Sequence, residues 1–383
     1  MLLVVAAVQY LRPIPAIAAA AVVPASNQLG TAPALPWPAR GKAALYLDGY
    51  GPIGTSGDLT PGPIASTAKM MTALLVLEGH PLKAGEQGPV ITVTRADVAM
   101  FNAERNQGAS VLPVVAGEQL TEYQLLQGLL LPSASNFADM LATWDRGSVA
   151  AFVNRMNARA VELNMGATHF ADPSGFSAQS VSIPADLVTL GRTAMQLPVF
   201  AAIVSQTQAT LPVAGLVHNL DALLGQLGVV GIKTGHTDQA GGCFAMAADL
   251  TIDTRPARIY GAVMGQPNAL PGAFATTRAL LQALTPVLHS RTVVSRGDVV
   301  ARYQSAWGES GAIIAADPLI WILVDGSIIT RQVRLDSLPS ALPANSRVGT
   351  LVLTAGEHRA EVPLVTAAAI NGPDPGWRLT RGF

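Results

Sequence analysis

The sequence predicts an α+β fold: a sheet carrying an inserted helical lobe, with a small all-β domain after it. Three observations lead there. A strand-like run, Ala43–Asp48 (AALYLD), precedes a mainly helical stretch between Val93 and about Val204. Between Gln206 and Met264 the pattern turns to short strand-like runs, among them VVGIKTG, CFAMAADL and RIYGAVMG. From Leu288 onward, runs such as VVSRGDVVARYQ, AIIAADPLIWILVDG and VGTLVLTAG are separated by Gly, Asp and Pro, as strands are by turns.

The elements follow in order. Residues 1–23 hold two apolar runs split by Arg12-Pro13. Neither run reaches the roughly 20 residues that span a bilayer, and no cation precedes the first, as a signal peptide would have. The segment reads as an export signal or as the tail of a membrane anchor; a buried core segment is the alternative. Residues 24–41 are rich in Pro, Ala, Gly and Ser and read as a linker. Residues 42–287 form the main domain. In it a helix starts near Ser66, with Met70, Ala73, Leu74, Val76 and Leu77 on one broad apolar face. Further helices open at Thr94, Thr121 and Gly147, each a capping or turn residue, and a last one spans Gly272–Leu284. Residues 288–383 form a β domain of sandwich type.

Composition narrows the function. The chain has 383 residues, 50% of them hydrophobic and 13% charged, which suits a well-packed globular protein. A net charge of −1 gives no electrostatic reason for a nucleic-acid partner. The single cysteine, Cys243, excludes an intrachain disulfide and reads as a small buried strand residue. The 6 histidines lack ligand spacing with carboxylates or Cys243, so neither metal nor cofactor is expected. Lysine is rare: Lys42, Lys69, Lys83 and Lys233 against many arginines. Lysine offers what arginine does not, an amine whose pKa can be lowered to make a base.

Two of these lysines stand in motifs. Ser66-Thr67-Ala68-Lys69 opens a helix, so that hydroxyl and amine share a face one turn apart. The helix N-terminus supplies free N–H groups and a positive end, which suits an oxyanion and favours a neutral amine. Lys233-Thr234-Gly235-His236 lies in a strand-like run; a lysine there needs a partner, Thr234 offers a hydroxyl, and Gly235 leaves room for a ligand backbone. Between them, Ser133-Ala134-Ser135-Asn136 joins two helical segments and reads in isolation as a cap. Asp172-Pro173-Ser174-Gly175 reads either as a loop near the site or, the preferred reading, as a helix-ending turn. Taken in order, Ser-x-x-Lys, a Ser-x-Asn-like loop and Lys-Thr-Gly form the pattern of serine acyl-enzymes acting on β-lactams and D-alanyl peptides.

On these motifs, and on the segments PIASTAKMMTALLVLE, AGEQLTEYQLLQGLLLPSASN, MNARAVELNMGATHFADPSGF and GIKTGHTDQAGGCFAMAA, the chain resembles the serine-type D-alanyl-D-alanine carboxypeptidases of low molecular mass, over about residues 40–290. The resemblance implies a β-lactamase/transpeptidase-like domain and an enzyme outside the cytoplasmic membrane, secreted or anchored by its N-terminus. Peptidoglycan stem peptides would be its substrates and β-lactams its covalent inhibitors. It also implies roles. Ser66 is acylated, Lys69 takes its proton, and Ser133, between Lys69 and Lys233, relays a proton to the leaving D-alanine. Lys233 and Thr234 hold the terminal carboxylate, and the N–H groups of Ser66 and His236 form the oxyanion hole.

Two departures bear on this. The third residue of the middle motif is Ser135 where the family has Asn, so the substrate contact falls to Ser135 or, with a shifted loop, to Asn136. Residues 265–275 contain no arginine to assist the carboxylate, a group some relatives use. Three other readings compete: an endopeptidase or transpeptidase on the same scaffold, a class A-like β-lactamase, and a non-catalytic binding module. The β-lactamase needs a glutamate to direct the deacylating water. Glu162-Leu163-Asn164 approximates its motif, but the glutamate position is Ala160.

Overall fold

The structure, a computed structural model, describes residues 2–381; Met1, Gly382 and Phe383 lie outside the described residues. Two compact units share the chain. One consists of Ala34–Asp48 and Pro52–Pro286; the other gathers the residues before 34, Gly49–Gly51 and the residues from 287 on.

The first unit is built on a five-stranded sheet. Its order is Val229–Thr237, Gly241–Ile252, Arg255–Gln266, Lys42–Leu47 and Gly51–Ser56. The first four of these strands run antiparallel to their neighbours. The helical insertion between Gly51–Ser56 and Val229–Thr237 is the expected lobe. Its centre is the Lys69–Gly79 helix, in which every residue from Lys69 to Leu77 is buried. Such all-round burial marks a core helix enclosed by its neighbours. Those neighbours are the helices Glu122–Leu130, Ser135–Arg146 and Pro184–Met195.

Capping sets the lobe's boundaries. Thr94 and Thr121 each close a reciprocal capping box, with Asp97 and Gln124. The helix expected at Gly272–Leu284 begins three residues earlier, at Ala269. Among the described residues no single helix is long and apolar enough to cross a membrane.

The second unit is all-β apart from two short helices. Its seven-stranded sheet has the order Ala18–Ala21, Val299–Gln304, Ser310–Ala315, His358–Thr366, Arg347–Ala355, Ile328–Leu335, Ser26–Gln28. A ribbon of Leu288–Val294 and Leu319–Val324 shares one apolar core with it, including Val294, Trp321, Leu323, Leu351 and Leu364.

Both edges of this sheet come from the N-terminal segment. The four residues 22–25 join them and span at most about 17 Å, whereas seven flat strands would hold the edges about 29 Å apart. The sheet is therefore curled nearly onto itself. The stretch 24–41 was expected to be a linker, yet its first residues include one of these edge strands. Ser26–Gln28 satisfies an open strand edge, which outweighs its turn-rich composition.

Candidate active site

Ser66 sits in a 3-10 turn, Ala65–Ala68, that runs directly into the Lys69–Gly79 helix. Ala65 holds φ 46° to make the entry, a strained value for a residue with a Cβ. The Thr67 hydroxyl donates to the Ile64 carbonyl at 2.7 Å and fixes the turn.

The turn lies against the Val229–Thr237 strand at Gly235. A Cβ there would stand 2.9 Å from the Ser66 nitrogen and 3.1 Å from that of Thr67. Gly235 therefore makes room for the Ser66–Thr67 backbone, and it also lines the smaller cavity beside Ser66, where the sequence suggested room for a ligand. The loop 172–175 closes the turn from another side. Gly175, at φ 76°, would put a Cβ 1.8 Å from the Ala65 carbonyl oxygen.

Lys69 is fully buried. Its amine donates to Ser66 Oγ at 2.9 Å, to Ser135 Oγ at 3.2 Å and to the Ser174 carbonyl at 3.0 Å. Burial holds its pKa down to about 8; Asp172, Glu104 and Asp139 oppose the shift through their charge. Burial raises the pKa of both Glu104 and Asp139, and their like charges push Glu104 further up. Lys233 is 1% exposed and donates to the Thr234 carbonyl at 3.0 Å. Burial, and then the like charge of Lys69, push its pKa well down, against the pull of Asp221. Burial of the two amines, and the repulsion that Lys233 feels from Lys69, disfavour the charged form of both.

The middle motif divides its labour differently from either sequence alternative. Ser135 faces Lys69. Asn136, 1% exposed, accepts from the Leu112 N–H at 3.1 Å and donates to the Leu112 carbonyl at 3.0 Å. Its amide is committed to the main chain and lines neither cavity beside Ser66. The substrate contact expected of Asn136 is therefore corrected to a structural tie. Ser133 adopts φ 71°, and its buried hydroxyl has no hydrogen-bond partner. It lines the smaller cavity with Thr234 and does not take the contact with Lys69.

Two cavities meet at Ser66 and His236. The smaller, about 370 Å³, is walled by Ser133, Thr234, Leu220 and the apolar residues 269–271, which lie where an arginine was missed in the sequence. The larger, about 530 Å³, is lined by residues 107–110, Ser135, Phe176 and the tip of the strand hairpin at 237–239.

Of the two readings of the loop 172–175, a loop near the site fits better than the preferred plain turn, since the Ser174 carbonyl accepts from Lys69. Besides the Ser174 carbonyl, the Pro173 carbonyl accepts from Thr72 Oγ1 at 2.6 Å, and Asp172 accepts from the hydroxyls of Ser174 and Ser180 at 2.6 and 2.5 Å. Its contribution is made by carbonyls, which side-chain patterns do not reveal. Asp221 also escaped notice; burial raises its pKa to about 6, and an acid inside the apolar run NLDALL was the available signal. Glu162 is engaged by Arg155 at 2.6 Å and Arg159 at 2.9 Å on an outer helix face, and Ala160 is buried. Neither position supplies the carboxylate that a class A-like lactamase needs.

The sequence profile of the D-alanyl-D-alanine carboxypeptidase family (peptidase S11) matches residues 56–268, the stretch holding all three motifs. The chain belongs to that family. It is 38% identical over 193 residues to D-alanyl-D-alanine carboxypeptidase DacB2 of Mycobacterium tuberculosis, covering 49% of this chain but only 62% of that protein. The DD-transpeptidase of Streptomyces K15 aligns in three dimensions with TM-score 0.58 and 25% identity, over 65% of this chain and 98% of that one. D-alanyl-D-alanine carboxypeptidase DacD of Francisella tularensis shares the fold over 90% of this chain and 97% of its own, with TM-score 0.64 and 19% identity.

Proposed function

We propose that this chain is a serine D-alanyl-D-alanine carboxypeptidase that removes the terminal D-alanine from peptidoglycan stem peptides through an acyl-enzyme on Ser66. The observation that carries the reading is the amine of Lys69, buried and 2.9 Å from Ser66 Oγ. Neutral Lys69 takes the hydroxyl proton as Ser66 attacks the carbonyl of the penultimate D-alanine. The N–H groups of Ser66 and His236 receive the developing oxyanion. The Ser133 hydroxyl, unpartnered at rest, gives its proton to the departing amine and regains one from protonated Lys69, which is left neutral for the second step. Thr234 and Lys233 hold the terminal carboxylate in the smaller cavity, and Ser135 keeps the Lys69 amine in place. Water then attacks the acyl-enzyme and returns the proton through Lys69.

A penicillin enters the same reaction with its lactam carbonyl, and its release is slow, because neither Glu162, held by Arg155 and Arg159, nor Ala160 supplies a deacylating carboxylate. Incubation with a fluorescent penicillin followed by peptide mass spectrometry should place the label on Ser66, and Ser66→Ala should abolish it. Products from a monomeric pentapeptide and from a cross-linked dimer separate the carboxypeptidase from an endopeptidase or transpeptidase. Failure to label wild-type protein would favour a binding module.

Such substrates lie outside the cytoplasmic membrane, which assigns this chain to the cell envelope. Contact with the membrane through the N-terminus is supported by the apolar Leu2–Leu11 helix, whose Val4, Val8 and Leu11 are exposed. Cell fractionation of the full chain against one lacking residues 2–11 tests that contact; equal distribution would refute it.

A further inference from the structure

The reaction asks opposite things of two buried amines. Lys69 must be neutral to take a proton, and Lys233 must be charged to hold a carboxylate. Burial disfavours the charge on both, and Lys233 also feels the charge of Lys69. Something has to favour the cation at Lys233.

One acid meets that need. Asp221 lies in the loop between the strands Gly215–His218 and Val229–Thr237 and is 7% exposed. The loop is tied down just before it. The Asn219 amide donates to the carbonyls of Val204 and Gln206 at 3.0 and 2.9 Å, and the Leu220 N–H donates to the Leu131 carbonyl at 3.2 Å. Leu220 lines the smaller cavity with Ser133 and Thr234, so the loop brings Asp221 to the carboxylate end of the site. One oxygen of Asp221 accepts from the Leu223 N–H at 2.9 Å; the other is buried without a hydrogen-bond partner. A buried carboxylate with an idle oxygen is unfavourable unless a charge offsets it. Lys233 is the cation that acts on Asp221, and Asp221 is the anion that acts on Lys233. Charged groups on the neighbouring elements are engaged elsewhere: Asp249 with Arg258 at 2.5 Å, and Arg278 with Gln226 at 2.9 Å. His236, on the same strand as Lys233, is exposed.

We propose that Asp221 supplies the negative charge that keeps Lys233 cationic, and is thereby a positioning residue for the terminal carboxylate of the substrate. This rests on the carboxypeptidase reading. Asp221 takes no part in bond making and acts through the Lys233 amine. Burial raises the Asp221 pKa to about 6, so its charge is present above 6 and fades below it. Lys233 needs that charge most at high pH, where an amine of depressed pKa gives up its proton.

Asp221→Asn keeps an acceptor for the Leu223 N–H and removes the charge. The substrate is acetyl-Lys-D-Ala-D-Ala with its ε-amine acetylated, and the readout is D-alanine release. KM should rise about ten-fold at pH 8, the effect of one pKa unit at Lys233, and less than about three-fold at pH 5.5, with kcat within about two-fold. Acylation by benzylpenicillin, measured by competition with a fluorescent penicillin, should slow in the same way. Its methyl ester, which has no carboxylate for Lys233 to hold, should react equally with variant and wild type. Should Asp221→Asn not fold, Asp221→Ser keeps the turn's acceptor without the charge and carries the same expectations. A KM within about two-fold of wild type at both pH values would overturn the proposal. Equal slowing toward penicillin and its ester, the mark of a structural role, would also overturn it. Wild-type protein that releases no D-alanine would overturn the carboxypeptidase reading and leave the penicillin pair to decide on Asp221.

Discussion

The depressed pKa of Lys69 sets how acylation should respond to pH. An ordinary lysine titrates near 10.5; burial of this one brings it to about 8, a shift worth roughly 3 kcal/mol between its two protonation states. At pH 7 about one molecule in ten then carries the neutral base, against about one in three thousand without the shift. Below pH 8 the acylation rate should rise about tenfold per unit, so that it climbs about fifty-fold between pH 6 and pH 8 and levels off above pH 9. The assay is the second-order rate constant for labelling by a fluorescent penicillin, quenched at intervals and read on a gel. A constant that varies less than threefold from pH 6 to pH 8, or that still climbs past pH 10, would refute Lys69 as the base. The same shift has a stability consequence. Between about 8 and 10.5 the unfolded chain binds more protons than the folded one, so the cost of burying this lysine is present below 8 and fades as pH rises through 10.5.

Other expectations follow from single contacts. Asn136→Ala should lower stability by about 1–3 kcal/mol, since it strands the Leu112 N–H and carbonyl, while the folded fraction still labels; Ser135→Ala should do the reverse, slowing acylation roughly tenfold with little change in Tm. Gly235→Ala should push the Ser66 turn outward and slow acylation by roughly tenfold or more; wild-type labelling would show that the contact with Ser66 yields without harm. Glu122 is buried with both carboxylate oxygens unpartnered, and burial raises its pKa to about 7. The folded state therefore holds its proton longer, and the stability it allows is full below 4.5 and lost as pH rises through 7. From pH 6 to pH 8 the wild-type protein should lose about 1 kcal/mol more than Glu122→Gln, which is a gap of about 2–4 °C in Tm; parallel melting curves would refute this.

Sequence periodicity and capping residues made most of the first unit legible. Thr94 and Thr121 start helices because their hydroxyls satisfy otherwise unpaired N–H groups, and that requirement is local. Ser66, Lys69 and Lys233 were legible because a lysine in an apolar setting has to be explained. The division between Ser135 and Asn136 was not, since it depends on which residue faces the Lys69 amine and which faces Leu112, a matter of helix phase across three residues. At Gly235 the sequence shows the need for space but not that the Ser66–Thr67 backbone also takes some of it. The edge strands at 18–21 and 26–28 were hidden for another reason. Their partners lie almost a chain length away, and short polar or all-alanine strands carry no periodic signal of their own.

Those two edge strands affect the order in which the protein is assembled. Ala18 pairs with Gln304 and Asn27 with Ile329, so the curled sheet joins residues 18–28 to strands that follow about 300 residues later. During translation the early strands wait without partners, and the later ones emerge with both margins of their sheet open. Such long closures are slow, and an open margin is a route to misassociation. A fragment beginning at residue 287 should therefore aggregate, and a synthetic peptide covering residues 14–33 should rescue it by supplying both missing margins.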